Sequence, residues 1–346
     1  MRTYKVAVLG ATGAVGQTFV RLLEGHPWFR LTEVVAGDHH SGETYREAVH
    51  WIEGPPLSEA IADLPVRTSL DDLDADVCFS ALPGGKAGTA ERALAKRGYK
   101  VFTNARDLRG EADVPLLIAE VNPDHLKLID SQPRGHDGFV VANGNCTAIL
   151  LSLALKPLVD RFGVDGCHVV TMQALSGAGY PGVPSLDIVD NLVPFIEDEE
   201  SKVEAEVPKF LGTLDGGRVI PARVALSATC TRVPVLEGHT LAVSVGLRGT
   251  PSPEGIREAF RFFRGEPQRL HLPSAPEKPV VVRDEADRPQ PRKDRGAGGG
   301  MSVSVGRVRA DPLMGWKFIA TGSNTVRGAA GGSILNAELA AATGRL

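Results

Sequence analysis

Short apolar runs alternate with helix-like segments in the first part of the chain. Runs such as YKVAVL, DVCFSAL and FVVA have the length and composition of buried strands, and the segment from about Ala87 to Arg97 has the pattern of a helix. Strands and helices that alternate in this way are typical of a parallel sheet with helices on both faces. The pattern therefore predicts an α/β fold with a Rossmann-like, doubly wound parallel sheet.

The pattern changes after the run FVVA. Four longer strand-like runs, GCHVVTMQAL, VALSATCTRVPV, HTLAVSVGLRG and SVSVGRVR, are interrupted by helical segments near 197–211 and 252–263. This arrangement indicates an α+β domain with a mixed sheet. We expect one domain at 1–145, completed by a C-terminal helical segment at 325–346 that packs back on it, and a second domain at 146–324.

Composition and charge limit the classes of function. The 42% hydrophobic content gives ample core for two domains, and the net charge of −4 argues against a general nucleic-acid surface. The N-terminus passes directly into a strand, and no apolar run reaches the roughly 18 residues of a membrane helix. Four cysteines without paired spacing indicate neither a disulfide framework nor a metal site. We expect a cytoplasmic protein without a metal, a nucleic-acid partner or a membrane partner.

A glycine-rich loop, GATGAVG, joins the first strand to the first helix. Its three glycines permit a tight turn and let the backbone approach a pyrophosphate, which would rest on the helix N-terminus. The position of the loop between strand and helix predicts a dinucleotide site. The loop residues assigned to this site are Gly10, Thr12, Gly13, Ala14, Val15 and Gly16.

One cysteine stands at a second turn between a strand and a helix. Cys146 follows FVVA and precedes an apolar helix with few charges. The unpaired N–H groups at a helix N-terminus favour a thiolate and offer donors to an oxyanion formed when the sulfur attacks a carbonyl. Cys146 is therefore a candidate nucleophile. Cys78, Cys167 and Cys230 lie within strand-like runs and are expected in the core.

Longer motifs resemble one family over nearly the whole chain, the aspartate-semialdehyde dehydrogenases, and most closely their archaeal and fungal branch. The matching segments include GATGAVGQ, VPLLIAEVNPDHL, QALSGAGYPGVPSLDIVDN, TRVPVLEGHT, RPQPRKDR and NTVRGAAGGSILNAEL. The spacing also agrees with the family, because Gln173 follows Cys146 by 27 positions and Arg232 precedes His239 by seven.

The resemblance implies a function for each domain. Residues 1–145 with 325–346 would bind NAD(P), and residues 146–324 would form the catalytic and dimerisation domain of a homodimer or homotetramer. The implied reaction is the reversible, NADPH-dependent reduction of L-aspartyl-4-phosphate to L-aspartate 4-semialdehyde and phosphate. Lysine, threonine and methionine synthesis would use that product.

The chemistry of an acyl phosphate explains the residue types. A thiolate displaces phosphate to give a thioester, which then accepts hydride and collapses to the aldehyde. An imidazole suits the proton transfers that accompany these steps. The resemblance assigns the sulfur to Cys146, the acid–base role to His239 and an orienting role to Gln173. A buried strand amide is the alternative for Gln173.

The resemblance also assigns residues to the charged groups of the substrate. Arg109 and Lys202 would bind the phosphate, Arg232 the carboxylate and Glu199 the ammonium group, with Asn145 beside them. For Glu199 and Lys202, the alternative is a solvated face of an acidic helix. Further residues assigned to the nucleotide are Ser80, Leu82, Pro83, Ser176, Gly177 and Asn324. The alternative for Asn324 is the N-cap of the last helix.

Departures from the family pattern leave alternatives open. AGDHHSGETY replaces the usual Ser, Arg and Lys that hold a 2′-phosphate. Asp38, with His39 beside it, is suited to an unmodified ribose, so NAD(H) stays an alternative to NADP(H). Gly144 replaces a proline before Asn145, and a glycine run ends the loop at 288–300.

These changes keep two other functions in consideration. The same fold would serve a reductase of another acyl phosphate or of an acyl-CoA such as malonyl-CoA. A catalytically inactive nucleotide-binding regulator would keep the glycines without needing the cysteine. The loops at 177–184 and 288–300 are each either a plain surface loop or part of the site; the first would edge the site, and the second would reach the site or a neighbouring subunit.

Overall fold

The computed structural model describes residues 2–133 and 137–346, which divide into two compact units. The first unit contains the described residues up to 117, residues 124–143 and residues 329–346. The second contains residues 118–123 and 144–328. No helix in this described part of the chain is long and apolar enough to cross a membrane.

A six-stranded parallel sheet forms the centre of the first unit. Its strands are β1 Tyr4–Leu9, β2 Phe29–Val35, β3 Val66–Arg67, β4 Val77–Ser80, β5 Lys100–Thr103 and β6 Phe139–Ala142. Their order is β3-β2-β1-β4-β5-β6, with every neighbouring pair parallel. This is the strand order of doubly wound dinucleotide-binding sheets, and it confirms the predicted class of the fold.

Helices cover this sheet. They are α1 Ala14–Leu23, α2 Tyr45–Ala48, α3 Glu59–Ala62, α4 Ala87–Lys96 and, at the end of the chain, a C-terminal helix Gly331–Ala342. The C-terminal helix lies against α1 and β5. Its buried Glu338 carboxylate is 2.8 Å from Nε2 of His26, which follows α1. The last helix is therefore an integral part of the first unit.

The second unit is built on a mixed sheet with helices packed on it. Its elements are α5 Cys146–Phe162, β7 Val164–Gln173, α6 Ser185–Ile188, α7 Glu199–Phe210, β8 Thr213–Asp215, β9 Arg218–Ile220, β10 Ala225–Arg232, β11 His239–Leu247, α8 Pro253–Phe262, α9 Glu266–Arg269, β12 Val280–Arg283, α10 Pro291–Asp294, β13 Val303–Asp311, β14 Gly315–Gly322 and the first three residues of a π-helix, Val326–Ala330.

The six long strands of this unit lie in the order β10-β7-β11-β14-β13-β12. Two pairs are parallel and three are antiparallel, so the predicted mixed sheet is confirmed. The sequence did not point to β14, although it lies in the middle of the sheet between β11 and β13. Its residues GWKFIATG are bounded by glycines and include polar Lys317 and Thr321, which weakens the apolar signal of a strand.

A buried ion pair holds the end of the second unit. Arg327 in the π-helix donates two hydrogen bonds of 2.8 Å to the carboxylate of Glu120, and both side chains are at most 2% exposed. The next residue, Gly328, lies directly against Cys146, because a Cβ added at Gly328 would be 2.6 Å from the Cβ of Cys146. The ion pair therefore fixes the backbone that packs behind the candidate nucleophile.

We predict that Glu120→Ala lowers the free energy of unfolding by about 3–5 kcal/mol, because it leaves the Arg327 guanidinium buried and unpaired. Urea unfolding followed by circular dichroism measures this loss. The matched control is Asp165→Ala, which removes the exposed partner of Arg248 and should change the stability by less than about 1 kcal/mol. Equal losses in the two variants would contradict the assignment of Glu120.

Candidate active site

Three segments assigned to the nucleotide lie at the carboxyl ends of three adjacent strands of the first unit. The glycine loop follows β1, Asp38 comes shortly after β2, and Ser80 ends β4. β1 stands between β2 and β4, where the order of the strands changes direction. Ligands of open parallel sheets bind at such a switch point. The topology thus brings these three segments to one edge of the sheet.

The glycine loop itself fits a pyrophosphate. Gly10 has a φ of +76°, and a Cβ added there would lie 2.6 Å from the carbonyl oxygen of Ala81. In the described chain, α1 begins after Gly13 with no side chain capping its N–H groups and no acidic residue in its first turn. Uncapped N–H groups at a helix N-terminus bind phosphate oxygens. The loop therefore has the backbone conformation and the donors that NAD(P) needs.

Two buried side chains that the sequence did not single out support this loop. The hydroxyl of Tyr45 donates to the carbonyl oxygen of Ala11 at 2.8 Å, and Nε2 of Gln17 donates to the carbonyl oxygen of Thr12 at 2.9 Å. Burial raises the pKa of Tyr45 well above its usual range, so the phenol keeps its proton. In the sequence, the glutamine at the end of the motif GATGAVGQ was the signal that could have identified Gln17 as a residue supporting the loop.

The segment expected to bind the ribose has an exposed carboxylate, and the arginine that follows it is already paired. Asp38 and His39 are exposed in a 3-10 turn, Asp38–His40. Arg46 follows this turn, and its guanidinium pairs with Asp63 at 2.7 Å and also with Glu59. Asp38 therefore presents an exposed carboxylate shortly after β2, while the guanidinium of Arg46 is already paired with two carboxylates.

The other residues of the first unit that were assigned to the nucleotide or the substrate differ in how far their side chains are exposed. Ser80 is fully buried, and its hydroxyl donates to the carboxylate of Glu91 at 2.7 Å, so this side chain faces the core. Leu82 is half-buried and Pro83 is exposed. The guanidinium of Arg109 donates to the carbonyl oxygen of Asn104 at 2.8 Å.

Cys146 is the first residue of α5, as its position in the sequence predicted. Its Sγ lies 3.3 Å from Nε2 of His239, at the start of β11. Among the cysteines, all of which lie in the described residues, it is the one that is partly exposed. The other three are buried as predicted, and burial raises the pKa of Cys78 and Cys167 to about 12 and that of Cys230 to about 11.

Ala174, directly after β7, holds both His239 and Arg232. Its backbone N–H donates to Nδ1 of His239 at 3.1 Å, and its carbonyl oxygen accepts from Arg232 at 2.7 Å. His239 is 0% exposed, and burial together with the neighbouring Arg232 lowers the pKa of His239 to about 3. Burial also lowers the pKa of Arg232. The backbone of Ala174 therefore positions both the His239 ring and the Arg232 guanidinium.

The backbone of Gly177 packs closely against this pair. A Cβ added at Gly177 would lie 2.8 Å from a guanidinium nitrogen of Arg232 and 3.1 Å from Cε1 of His239. The first residue of the loop at 177–184 therefore lies against the cluster formed by Arg232 and His239 in the second unit.

The buried carboxylate of Glu199 connects three side chains around Cys146. It accepts hydrogen bonds from Asn145 at 2.9 Å, from Thr147 at 3.1 Å and from Gln173 at 3.0 Å. The interpretation of a solvated helix face is therefore wrong for Glu199, which is 7% exposed. Gln173 is buried at the end of β7, and its amide still reaches the cluster.

Helix α7 contacts the turn at Gly144–Cys146, called the nucleophile turn below, at a second point. Glu206 is buried two turns after Glu199, and its carboxylate accepts the backbone N–H of Asn145 at 2.5 Å. The ring of Phe210 occupies the space that a side chain at Gly144 would need. The sequence did not identify Glu206 because it lies in the charged run IEDEESKVEAE, where the buried face is set by packing. Asn145 itself caps α5 by accepting the N–H of Ala148 at 3.0 Å.

Lys202 lies on the same helix as these carboxylates. It is half-buried, and its Nζ is 3.4 Å from the carbonyl oxygen of Glu197. This contact is long for a hydrogen bond, so the ammonium group keeps donors for an anion.

Asn324 stabilises the turn before His239. It does not cap the last helix. Its Oδ1 accepts the backbone N–H of Gly238 at 2.9 Å, and its Nδ2 donates to the hydroxyl of Ser176 at 2.9 Å. The N-cap interpretation of Asn324 is therefore wrong, because the π-helix separates it from the C-terminal helix. Ser176 and Asn324, which were both assigned to the nucleotide, lie in contact.

The basic loop at 288–300 also packs beside this turn. Arg295 donates to the carbonyl oxygen of Glu237 at 2.8 Å, and the carboxylate of Glu237 accepts the hydroxyls of Ser323 at 2.7 Å and Thr325 at 2.8 Å. Asp294, which is fully buried, pairs with Arg283 and Arg288. The loop is therefore anchored against the residues that precede His239.

Comparisons with known proteins agree on one family. The family model described as semialdehyde dehydrogenase, NAD binding domain, matches residues 5–129, and the model described as semialdehyde dehydrogenase, dimerisation domain, matches residues 155–327. An aspartate-semialdehyde dehydrogenase of Archaeoglobus fulgidus is 51% identical over 341 residues, which cover 97% of each chain. One from Methanothermobacter thermautotrophicus is 51% identical over 340 residues, covering 96% of this chain and 98% of its own.

Solved structures give the same result. A crystal structure of aspartate semialdehyde dehydrogenase with NADP from Candida albicans superposes with a TM-score of 0.92 at 38% identity, covering 99% of this chain and all of its own.

We predict that Glu206→Ala lowers kcat on the order of 10–100-fold, because the turn that carries Cys146 loses an anchor and the sulfur shifts. The alkylation rate of Cys146 by iodoacetamide should fall with it. Glu206→Gln is the matched control, since its amide oxygen still accepts the N–H of Asn145, and it should stay within a few-fold of wild type. If both variants lost the same activity, the charge of Glu206 would matter and not its hydrogen bond.

Proposed function

The chain belongs to the aspartate-semialdehyde dehydrogenase family, and on this basis we propose that it reduces L-aspartyl-4-phosphate to L-aspartate 4-semialdehyde and phosphate through a thioester on Cys146. The observation that carries the proposal is the position of the Cys146 sulfur at the N-terminus of α5, 3.3 Å from the imidazole of His239. The product is the precursor from which lysine, threonine and methionine synthesis would proceed.

The residues of the second unit divide the reaction between them. The sulfur of Cys146 attacks the acyl carbon, phosphate leaves, and the N–H groups of α5 favour the thiolate. The guanidinium of Arg232 binds the substrate carboxylate, while Glu199 attracts the ammonium group. Gln173 orients the acyl group, and Asn145 lies beside it. The bound nicotinamide nucleotide supplies the hydride when the thioester is reduced.

Phosphate recognition falls to two cations. Lys202 on α7 has an ammonium group that offers donors to the phosphate as a compact charge, and Arg109 offers a planar fork.

The alternatives that the sequence left open have no support. The relatives carry the name of one enzyme, so neither a reductase of malonyl-CoA nor an inactive nucleotide-binding regulator has an observation in its favour.

We infer that the nucleotide is NADP(H), held by the glycine loop, Leu82, Pro83, Ser176, Gly177 and Asn324. The Candida albicans relative, whose structure contains NADP, supports this choice. The carboxylate of Asp38 works against it, since it would repel a 2′-phosphate and would suit the ribose hydroxyl of NAD(H).

We also infer that the protein is a homo-oligomer, either a dimer or a tetramer. The family model for residues 155–327 is described as a dimerisation domain. One face of the second sheet supports this inference, because Val170, Ala242 and Ile319 form a cross-strand apolar row that is half-exposed. A second copy would cover that row. The four free cysteines fit a cytoplasmic protein.

We predict that Cys146→Ala reduces turnover to less than a few per cent of wild type while the dissociation constant of the nucleotide stays unchanged. The sulfur takes part in the chemistry, whereas the Gly10–Gly16 loop takes part in binding. Phosphate-dependent oxidation of aspartate semialdehyde measures turnover, and a fluorescence titration measures binding. Substantial turnover in the variant would eliminate Cys146 as the nucleophile.

For the nucleotide, we predict that Asp38→Ser raises kcat/KM with NADPH relative to NADH by about ten-fold, which is on the order of 1.4 kcal/mol. The physical reason is the loss of a negative charge beside the 2′-phosphate. Steady-state kinetics with both nucleotides test it. Asp74→Ser is the control, because this exposed carboxylate precedes β4 at the opposite edge of the sheet. An unchanged ratio in Asp38→Ser would show that Asp38 does not face the ribose.

A further inference from the structure

We propose that Glu91 is a positioning residue for two ligands at once, because one oxygen of its carboxylate holds both the loop at 81–86 and the loop at 104–109. The first loop, called the β4 loop below, contains two of the residues inferred to hold the nucleotide. The second, called the β5 loop, contains Arg109, which is proposed to bind phosphate. This inference rests on the function proposed above and concerns what keeps its two anion-binding loops in place.

Glu91 lies on α4 and is fully buried at the ends of two neighbouring strands. Its Oε1 accepts the hydroxyl of Ser80, the last residue of β4, at 2.7 Å, and the hydroxyl of Thr103, the last residue of β5, at 2.6 Å. Ser80 and Thr103 stand opposite each other in the parallel pair of strands, and both are fully buried. One carboxylate oxygen therefore joins the two strand ends.

Each of these hydroxyls also contacts the backbone of the loop that follows its strand. Thr103 accepts the N–H of Ala105 at 2.9 Å, and the hydroxyl oxygen of Ser80 is 3.5 Å from the backbone nitrogen of Leu82. A hydroxyl that donates to a fixed acceptor has its proton, and hence its lone pairs, fixed in direction. A buried hydroxyl without that acceptor would rotate toward another partner. Glu91 therefore orients the first turn of both loops through the two hydroxyls.

The two loops pass this constraint to the proposed ligand sites. The β4 loop lies directly against the glycine loop, because a Cβ added at Gly10 would be 2.6 Å from the carbonyl oxygen of Ala81. In the β5 loop, the guanidinium of Arg109 donates to the carbonyl oxygen of Asn104 at 2.8 Å. A shift of the β4 loop would thus disturb the backbone that approaches the pyrophosphate, and a shift of the β5 loop would move the arginine.

A second carboxylate joins the same loops at a half-buried position. Asp107 of the β5 loop accepts the backbone N–H of Gly85 at 2.9 Å and that of Gly88, in the first turn of α4, at 3.1 Å. These backbone donors lower the pKa of Asp107, whereas burial raises the pKa of Glu91. Water can replace the contact at Asp107, but it has no access to the one at Glu91. A protonated Glu91 would still accept both hydroxyls on its carbonyl oxygen, so its positioning role requires an acceptor and no charge.

Glu91→Leu and Glu91→Gln separate the acceptor from the volume of the side chain. Leucine fills a similar volume without an acceptor, whereas glutamine keeps an oxygen for the two hydroxyls. We expect Glu91→Leu to raise the dissociation constants of NADPH and of inorganic phosphate by about ten-fold each, and Glu91→Gln to stay within about two-fold of wild type. A fluorescence titration measures NADPH binding, and isothermal titration calorimetry measures phosphate binding. The KM for aspartate semialdehyde should be unchanged, because Arg232 and Glu199 lie in the second unit.

Two further variants each remove one of the hydroxyls. Thr103→Val should weaken the binding of phosphate more than that of NADPH, and Ser80→Ala should do the reverse. The matched control is Arg92→Ala, which removes the part-exposed partner of Asp113 from the same helix and should change neither constant. Circular dichroism shows whether each variant is folded, and these two decide the matter if Glu91→Leu is not.

Several results would overturn the role of Glu91. They are unchanged constants in Glu91→Leu, a loss confined to one of the two ligands, an equal loss with glutamine, or the same pattern of losses in Thr103→Val and Ser80→Ala. The binding measurements need no turnover. They are therefore separate from the phosphate-dependent oxidation of aspartate semialdehyde by the wild-type protein, which tests the proposed function.

Discussion

The hydrogen bonds of the buried Glu199 carboxylate are the interactions on which the cluster around Cys146 depends. A charge at that depth is stable only when donors surround it, and Asn145, Thr147 and Gln173 provide them. In satisfying the carboxylate, these residues also fix the two sides of the nucleophile turn and the end of β7. The geometry around Cys146 is thus set by the requirement to satisfy one buried charge.

The same turn is held from two further directions. Glu206 accepts the peptide N–H that precedes Cys146, and the Glu120–Arg327 pair fixes the π-helix whose Gly328 lies against the sulfur-bearing residue. Packing and hydrogen bonding therefore restrain the backbone on both sides of α5's first residue. Such restraint keeps a nucleophile within the small range of positions from which attack is efficient.

Much of the fold, and the central residues of the site, could be predicted from the sequence, because both depend on local patterns. Apolar runs, helix periodicity and a glycine loop between strand and helix reveal a doubly wound sheet, and a cysteine after FVVA reveals a helix N-terminus. What escaped prediction depends on contacts between distant segments. Ala174 acts through its backbone, which has no signature in the residue type, and Glu206 is indistinguishable from its charged neighbours until the packing of α7 is known.

The strand β14 escaped for a related reason. This segment is a strand because it pairs with β11 on one side and β13 on the other. Its glycines and polar residues weaken the apolar pattern by which a strand is predicted from sequence.

The contact between Gly144 and Phe210 couples two positions that are far apart in the chain. Because the ring of Phe210 fills the space in front of Gly144, neither residue can change size alone. A larger residue before the Asn-Cys pair requires a smaller one on α7, and the reverse exchange would leave a void behind the turn. Exchanging the nucleophile segment between members of this family would therefore preserve the site only when the matching part of α7 is exchanged with it.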